Sequence, residues 1–140
     1  MSDFVEMELR EIQISELGHH QIILLGEKNG DRAFPIYIGS FEALAMDLAV
    51  RNKQTPRPMT HDLICNIVDE LGYRFDRVLV DALRDDTFFG KVVLVGPDGR
   101  EVWVDSRPSD AIVLAAKRRL PIFVATEVLD SVIRSEDDEP

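Results

Sequence analysis

The sequence predicts an α+β fold: a single compact domain built from two βββαα repeats with mixed or antiparallel sheets. Three observations carry that expectation. Segments that alternate apolar and polar residues at period two are separated by the hairpin-type dipeptides Asn29-Gly30 and Asp98-Gly99. Segments with apolar residues at helical spacing follow each set of strands. The second half also echoes the first, since Ile22-Ile23-Leu24-Leu25-Gly26 matches Val92-Val93-Leu94-Val95-Gly96 at an offset of 70 residues.

Each element follows from its local pattern. Val5, Met7 and Leu9 alternate with Glu6, Glu8 and Arg10, which predicts a strand over 4–14. The run Ile22 to Leu25 predicts a strand over 20–28, and Phe34, Ile36 and Ile38 predict one over 32–38. Pro35 cannot donate to a ladder, so that strand belongs at an edge or bulge. Ser40 is positioned to cap a helix over 41–52, and Thr60 one over 61–71 that ends at Gly72. The pattern then restarts. Strands are expected at 74–84, 87–95 and 100–105, and a helix at 108–119 with Pro108 in its first turn. Ile122 to Val124 reads as a short strand, and Thr126 as the cap of a last helix to about Arg134. The two repeats are expected at about 4–72 and 74–134 of a domain spanning 1–134, followed by a disordered acidic tail at 135–140.

Composition excludes several classes. The chain has 140 residues, 45% hydrophobic and 30% charged, which suits one globular domain. No apolar run approaches the roughly 18 residues of a membrane span. The start MSDFVEMELRE lacks the basic-then-apolar build of a signal peptide, so the mature chain is expected in the cytoplasm. The single cysteine, Cys65, excludes an internal disulfide and reads as a small core residue. Net charge is -10, with 16 basic against 26 acidic residues, so a nucleic-acid substrate would have to approach with screening cations. His19-His20 reads as a solvated turn. Apolar residues on both sides of 87–95 call for helices or a partner chain to cover them, so a homo-oligomer, most simply a dimer, is expected.

Three clusters carry residues capable of chemistry: Ile36 to Ala43, Arg57 to Leu63, and Asp105 to Ala111. Each lies where a chain segment enters a helix, where exposed N–H groups and the helix dipole favour anions. Glu42, Asp62 and Asp110 also fit a plain structural role, because a first-turn carboxylate stabilises its helix by roughly 0.3–1 kcal/mol. The third cluster is densest. Asp105 and Asp110 are candidate ligands for a divalent cation such as Mg or Mn, a hard ion that prefers oxygen and can activate water. Arg107 offers a fork for phosphate, and His61 a candidate acid or base near neutral pH. Ser109 lacks a nucleophile elbow, and there is no Walker loop, HExxH, GxGxxG or CxxC pair.

Phe34-Pro35-Ile36-Tyr37-Ile38-Gly39 with Glu42-Ala43, then Arg57-Pro58-Met59-Thr60-His61-Asp62-Leu63, then Asp105-Ser106-Arg107-Pro108-Ser109-Asp110-Ala111 resemble, in order and spacing, the motif blocks of the bifunctional nuclease family. The resemblance covers about residues 4–133. It implies RNase and DNase activity, hence RNA or DNA as substrate. The expected site combines Asp105, Asp110, Glu42 and Asp62 near a cation, Arg107 on the scissile phosphate and His61 as acid or base. The alternative is a non-enzymatic binding or assembly module whose acidic junctions are structural. Convergence of the three junctions on one cleft, or their scattering, separates the two.

Overall fold

Period-two alternation forms the first strand as expected. In the computed structural model, which describes residues 3–15 and 21–137, β1 (Phe4–Gln13) buries Met7 and leaves Glu8 and Arg10 exposed. It pairs antiparallel with β2 (Gln21–Glu27), which pairs antiparallel with β3 (Ala33–Ile38). Helices α1 (Ser40–Val50) and α2 (Thr60–Glu70) follow. A second antiparallel meander is formed by β4 (Arg74–Arg84), β5 (Thr87–Val95) and β6 (Glu101–Ser106). The chain ends in α3 (Pro108–Arg118), β7 (Ile122–Ala125) and α4 (Thr126–Asp137). Strand β7 lies between the meanders, antiparallel to β1 and parallel to β4, and makes one mixed sheet of order β3-β2-β1-β7-β4-β5-β6. Pro35 sits in an edge strand, as expected for a residue that cannot donate to a ladder.

One core serves the described residues. Inward residues Ile23, Leu25, Phe34, Val78, Val80, Val92 and Val124 meet Met46, Cys65, Ile112, Val113 and Leu129 from all four helices in a single cluster. Cys65 is part of it, and burial pushes its thiol above the usual range. On the other side of the sheet Leu79 and Val93 are also buried, outside that cluster. Val93 pairs across strands with Arg77 and Trp103, and the Arg77 guanidinium lies 5.7 Å from the Trp103 ring centroid. Long side chains of the chain itself therefore accompany the outer apolar residues of β5.

The α+β class holds, but the βββαα repeat is not shown. Strand β7 separates α3 from α4, and nothing regular occupies residues 51–59 between α1 and α2. Registers differ too: with the second turn two residues shorter, Val104 stands where Ile36 does, yet Ile36 pairs with Ile23 while Val104 pairs with Val92 rather than Val93. Turns also depart from expectation. Gly99 adopts φ +86, but Gly30 is not left-handed; the β2–β3 connection is closed by Glu27 N–H donating to the Arg32 carbonyl (2.8 Å) and by the Glu27 carboxylate on Arg32 Nε (2.7 Å). The two-residue mirror-type turn falls instead at Asp85-Asp86, both at positive φ between the paired Arg84 and Thr87. Ser40, Thr60 and Thr126 are already helical, one residue inside their expected capping positions. The last helix runs to Asp137, three residues past the expected end, into the segment expected to be a disordered tail. His19-His20 and residues 138–140 lie outside the described residues. Among the described residues no helix is long and apolar enough to cross a membrane.

Candidate active site

Each of the three junctions is built alike. Gly39, Met59 and Arg107 have extended backbones and act as N-caps of α1, α2 and α3, and each accepts the first helical N–H, from Ala43, Leu63 and Ala111. Each helix then carries an acid at its third position: Glu42, Asp62 and Asp110. The β6–α3 junction can sit against β5 because residue 90 is glycine. A β-carbon there would lie 3.1 Å from Pro108 Cα and 3.2 Å from the Ser106 carbonyl oxygen, both backbone atoms with little freedom to retreat.

The junctions converge. His61 Nε2 lies 2.9 Å from Asp110 Oδ1. Arg107 Nε donates to Asp110 Oδ2 at 2.8 Å, and its Nη2 donates to Glu42 Oε2 at 3.1 Å. Four side chains from three segments thus form one chain of contacts, in which Arg107 is the open member. His61 is 9% exposed, and the Arg107 side chain is 64% exposed. On the Arg107 side lies a cleft of about 410 Å³ walled by Tyr37, Gly39, Asp86, Thr87, Pro108 and Ser109, among others. On the His61 side is a chamber of about 20 Å³, lined also by Asp62, Val113 and Lys117, with room for about one water.

Charge follows geometry. Burial pushes the Asp110 carboxyl up, but hydrogen bonds from Arg107 and His61 outweigh it and hold it below the ordinary 3.8. Those with Asp110 and Glu42 push the Arg107 guanidinium up. An ionised Asp110 can only accept, so Nε2 of His61 is the donor in this contact.

The other two candidates stand apart. Asp62 accepts the Met59 N–H at 2.9 Å, capping its own helix, and pairs with Lys117 of α3. The Lys117 ammonium and the Met59 N–H lower its pKa against the opposing effect of burial. Asp105 does not join Asp110. In the register of β6, Val104 pairs with the inward Val92, so the next residue points outward, and Asp105 meets Lys91 at 3.4 Å with its side chain 79% exposed. Asp110 instead meets His61 and Arg107. Asp110 and Glu42 in turn have Arg107 between them. The expected cation shared by Asp105 and Asp110 does not describe this arrangement. Among the described residues no three His, Cys, Asp or Glu side chains gather as a metal-binding group.

Gly90 and Lys117 help build this geometry and were not singled out in the sequence. Gly90 had a readable signal: a glycine inside the apolar strand run 88–95 marks close backbone approach. Lys117 had none.

A site of this kind, a guanidinium fork beside a carboxylate-oriented imidazole at converging helix starts, is fitted to bind anions and move protons. The bifunctional nuclease domain model matches residues 23–136, all three junctions included, and the chain belongs to that family. An uncharacterized protein of Mycobacterium tuberculosis is 34% identical over 137 residues, covering 96% of this chain and 81% of that one. Bifunctional nuclease 1 of Oryza sativa subsp. indica is 28% identical over 108 residues, and bifunctional nuclease 2 of Arabidopsis thaliana 31% over 108 residues. In each plant case 76% of this chain is covered but only 33% of the relative.

Proposed function

We propose that the chain is a phosphodiester hydrolase acting on RNA or DNA. The observation that supports this most is the continuous contact His61–Asp110–Arg107–Glu42 drawn from all three junctions. Arg107 Nη1, with no bond to a described residue, binds a non-bridging phosphate oxygen. Glu42 and Asp110 hold the guanidinium in place. A water in the Arg107 cleft attacks phosphorus and gives its proton to the Asp110 carboxylate; the P–O bond to the leaving nucleoside breaks, and that oxygen takes up a proton from solvent water. His61 orients Asp110 through the Nε2 contact. No step is routed through a divalent cation, because Asp110 and Glu42 are directed at Arg107. The test is cleavage of RNA and DNA oligonucleotides by highly purified protein beside Asp110→Ala and His61→Ala, with and without EDTA. Cleavage equal in the variants would overturn the reading.

A specific observation also favours assembly. Phe41 is 85% exposed and Leu44 47% on α1, and Leu63, Ile67 and Leu71 are 53%, 49% and 65% exposed at i, i+4, i+8 along α2 and its C-cap. Apolar helix faces of this kind mark contact surfaces. We propose that they pair in a homodimer. Light scattering should give twice the 15.9 kDa chain mass, and Leu63→Glu with Ile67→Glu should return the monomer. A monomeric wild-type protein at micromolar concentration would contradict this.

A further inference from the structure

The chain is acidic overall, yet one groove is basic. It lies between the α1–α2 connection, α2 and α3, measures about 440 Å³, and has Lys53, Lys117 and Arg118 on its walls against Asp62 alone among the acids. The remaining wall groups include neutral hydrogen-bonding side chains such as Asn52, Gln54 and Asn66.

Its cations are positioned by the fold. Helix α1 ends in a Schellman arrangement: Asn52 takes φ +53, its N–H donates to the Ala49 carbonyl (3.1 Å), and the Lys53 N–H donates to the Leu48 carbonyl (2.9 Å). That closure fixes where the Lys53 side chain leaves the backbone. Lys53 is exposed, and no carboxylate of the described residues lies within 4.0 Å of its ammonium. Lys117 and Arg118 are held to α2 by Asp62 and by Asp69, the latter pair at 2.6 Å. A lysine ammonium carries three donors and a guanidinium five, so both retain donors for another anion.

The groove also leads to the site. Leu48, Lys53, Thr55, Asp62 and Lys117 line both this groove and the chamber that His61 lines. It shares no wall residue with the cleft at Arg107. The basic groove thus opens toward the His61 end of the contact chain, and the Arg107 cleft toward the other.

From this continuity we infer that the Lys53–Lys117–Arg118 groove binds the phosphate backbone of a single nucleic-acid strand, on the flank of the site opposite Arg107. The inference rests on the hydrolase reading. A point charge such as lysine reads phosphate without reading bases, so the groove adds affinity and strand placement rather than sequence preference.

The test is fluorescence anisotropy with a labelled 12-nucleotide single-stranded DNA in EDTA, as a function of salt, with melting temperature followed alongside. Lys53→Ala should weaken binding about threefold and lower the slope of log affinity against log salt by about 0.7, the value for one phosphate contact on a single strand. Lys53→Glu should weaken binding by about tenfold or more. Lys28→Ala, whose side chain pairs with Glu6 away from this groove, should change neither. If wild-type protein binds and cleaves and both Lys53 variants bind as it does with unchanged slope, the groove assignment is wrong and the hydrolase reading stands. If wild-type protein neither binds nor cleaves, both fail.

Discussion

Helices α2 and α3 begin in the same way and use their beginnings differently. Both have an extended N-cap and an aspartate at the third position, Asp62 and Asp110. Burial does not distinguish them, since the two side chains are 31% and 27% exposed. Partners do. Asp62 turns back to its own N-cap N–H and to Lys117, which ties α2 to α3. Asp110 leaves its own cap unfilled and reaches His61 from another helix and the exposed Arg107. A first-turn carboxylate thus completes its own helix in one case and is diverted to His61 and Arg107 in the other.

The largest effect expected from this comparison is on turnover. Asp110→Asn should lower kcat/KM by about 10²–10⁴-fold, the range for losing a positioned acid–base partner, with a small change in melting temperature. Asp62→Asn should do the reverse, costing about 0.3–1 kcal/mol of stability, as expected for a helix N-terminal carboxylate, while most activity remains. Equal losses of activity in the two variants would remove the distinction.

Arg107 sharpens it. Arg107→Lys keeps the charge but loses the fork that joins Asp110 to Glu42, and should lower kcat/KM by about tenfold or more. EDTA should lower cleavage by wild-type protein less than this substitution does. A complete loss in EDTA, restored by Mg or Mn, would show that the acids serve a cation in turnover.

A smaller effect is expected at Gly39, where a β-carbon would collide with Glu42 Oε1. The carboxylate tip can move aside, so Gly39→Ala should leave stability nearly unchanged. It should nonetheless lower activity severalfold by shifting Glu42 away from Arg107. Unchanged kinetics would mean that Glu42 does not position the guanidinium.

Acid stability gives the smallest effect and treats the two aspartates alike. Both have folded-state values held below 3.8. On acidification the unfolded chain takes up their protons first. Their stabilisation is thus complete above about pH 4 and declines as pH falls through the lowered folded values. The gap in melting temperature between wild type and Asp62→Asn should be full at pH 6 and shrink near pH 3. A gap independent of pH would place the role of Asp62 outside its charge.

How far the sequence was legible depends on how local each feature is. The meanders were, because alternation in residues 4–10 and 101–105 acts over neighbouring residues. Strand β7 was recognised as a strand, but its place between β1 and β4 depends on pairing with Phe4–Met7 far away in the chain. The Asp85-Asp86 turn escaped notice because aspartate reaches positive φ without the glycine that usually marks such turns. At the site, Glu42, His61, Arg107 and Asp110 were identifiable as helix-start residues with suitable chemistry. Asp105 was misplaced although its alternation already pointed it away from Val102 and Val104; the turn to α3 does not bring it back. That Asp62 caps while Asp110 reaches His61 depends on how α2 and α3 pack, which no local pattern encodes.

The central claim is that the junctions of α2 and α3 form one chemical unit, and a double-mutant cycle in kcat/KM between His61 and Asp110 tests it most directly. His61→Asn, Asp110→Asn and the double variant would be assayed on one oligonucleotide, with melting temperatures confirming that each is folded. The contact at 2.9 Å predicts strong non-additivity, the double variant losing little more than the worse single one. Losses that simply multiply would show that the two residues act independently, and would contradict the account.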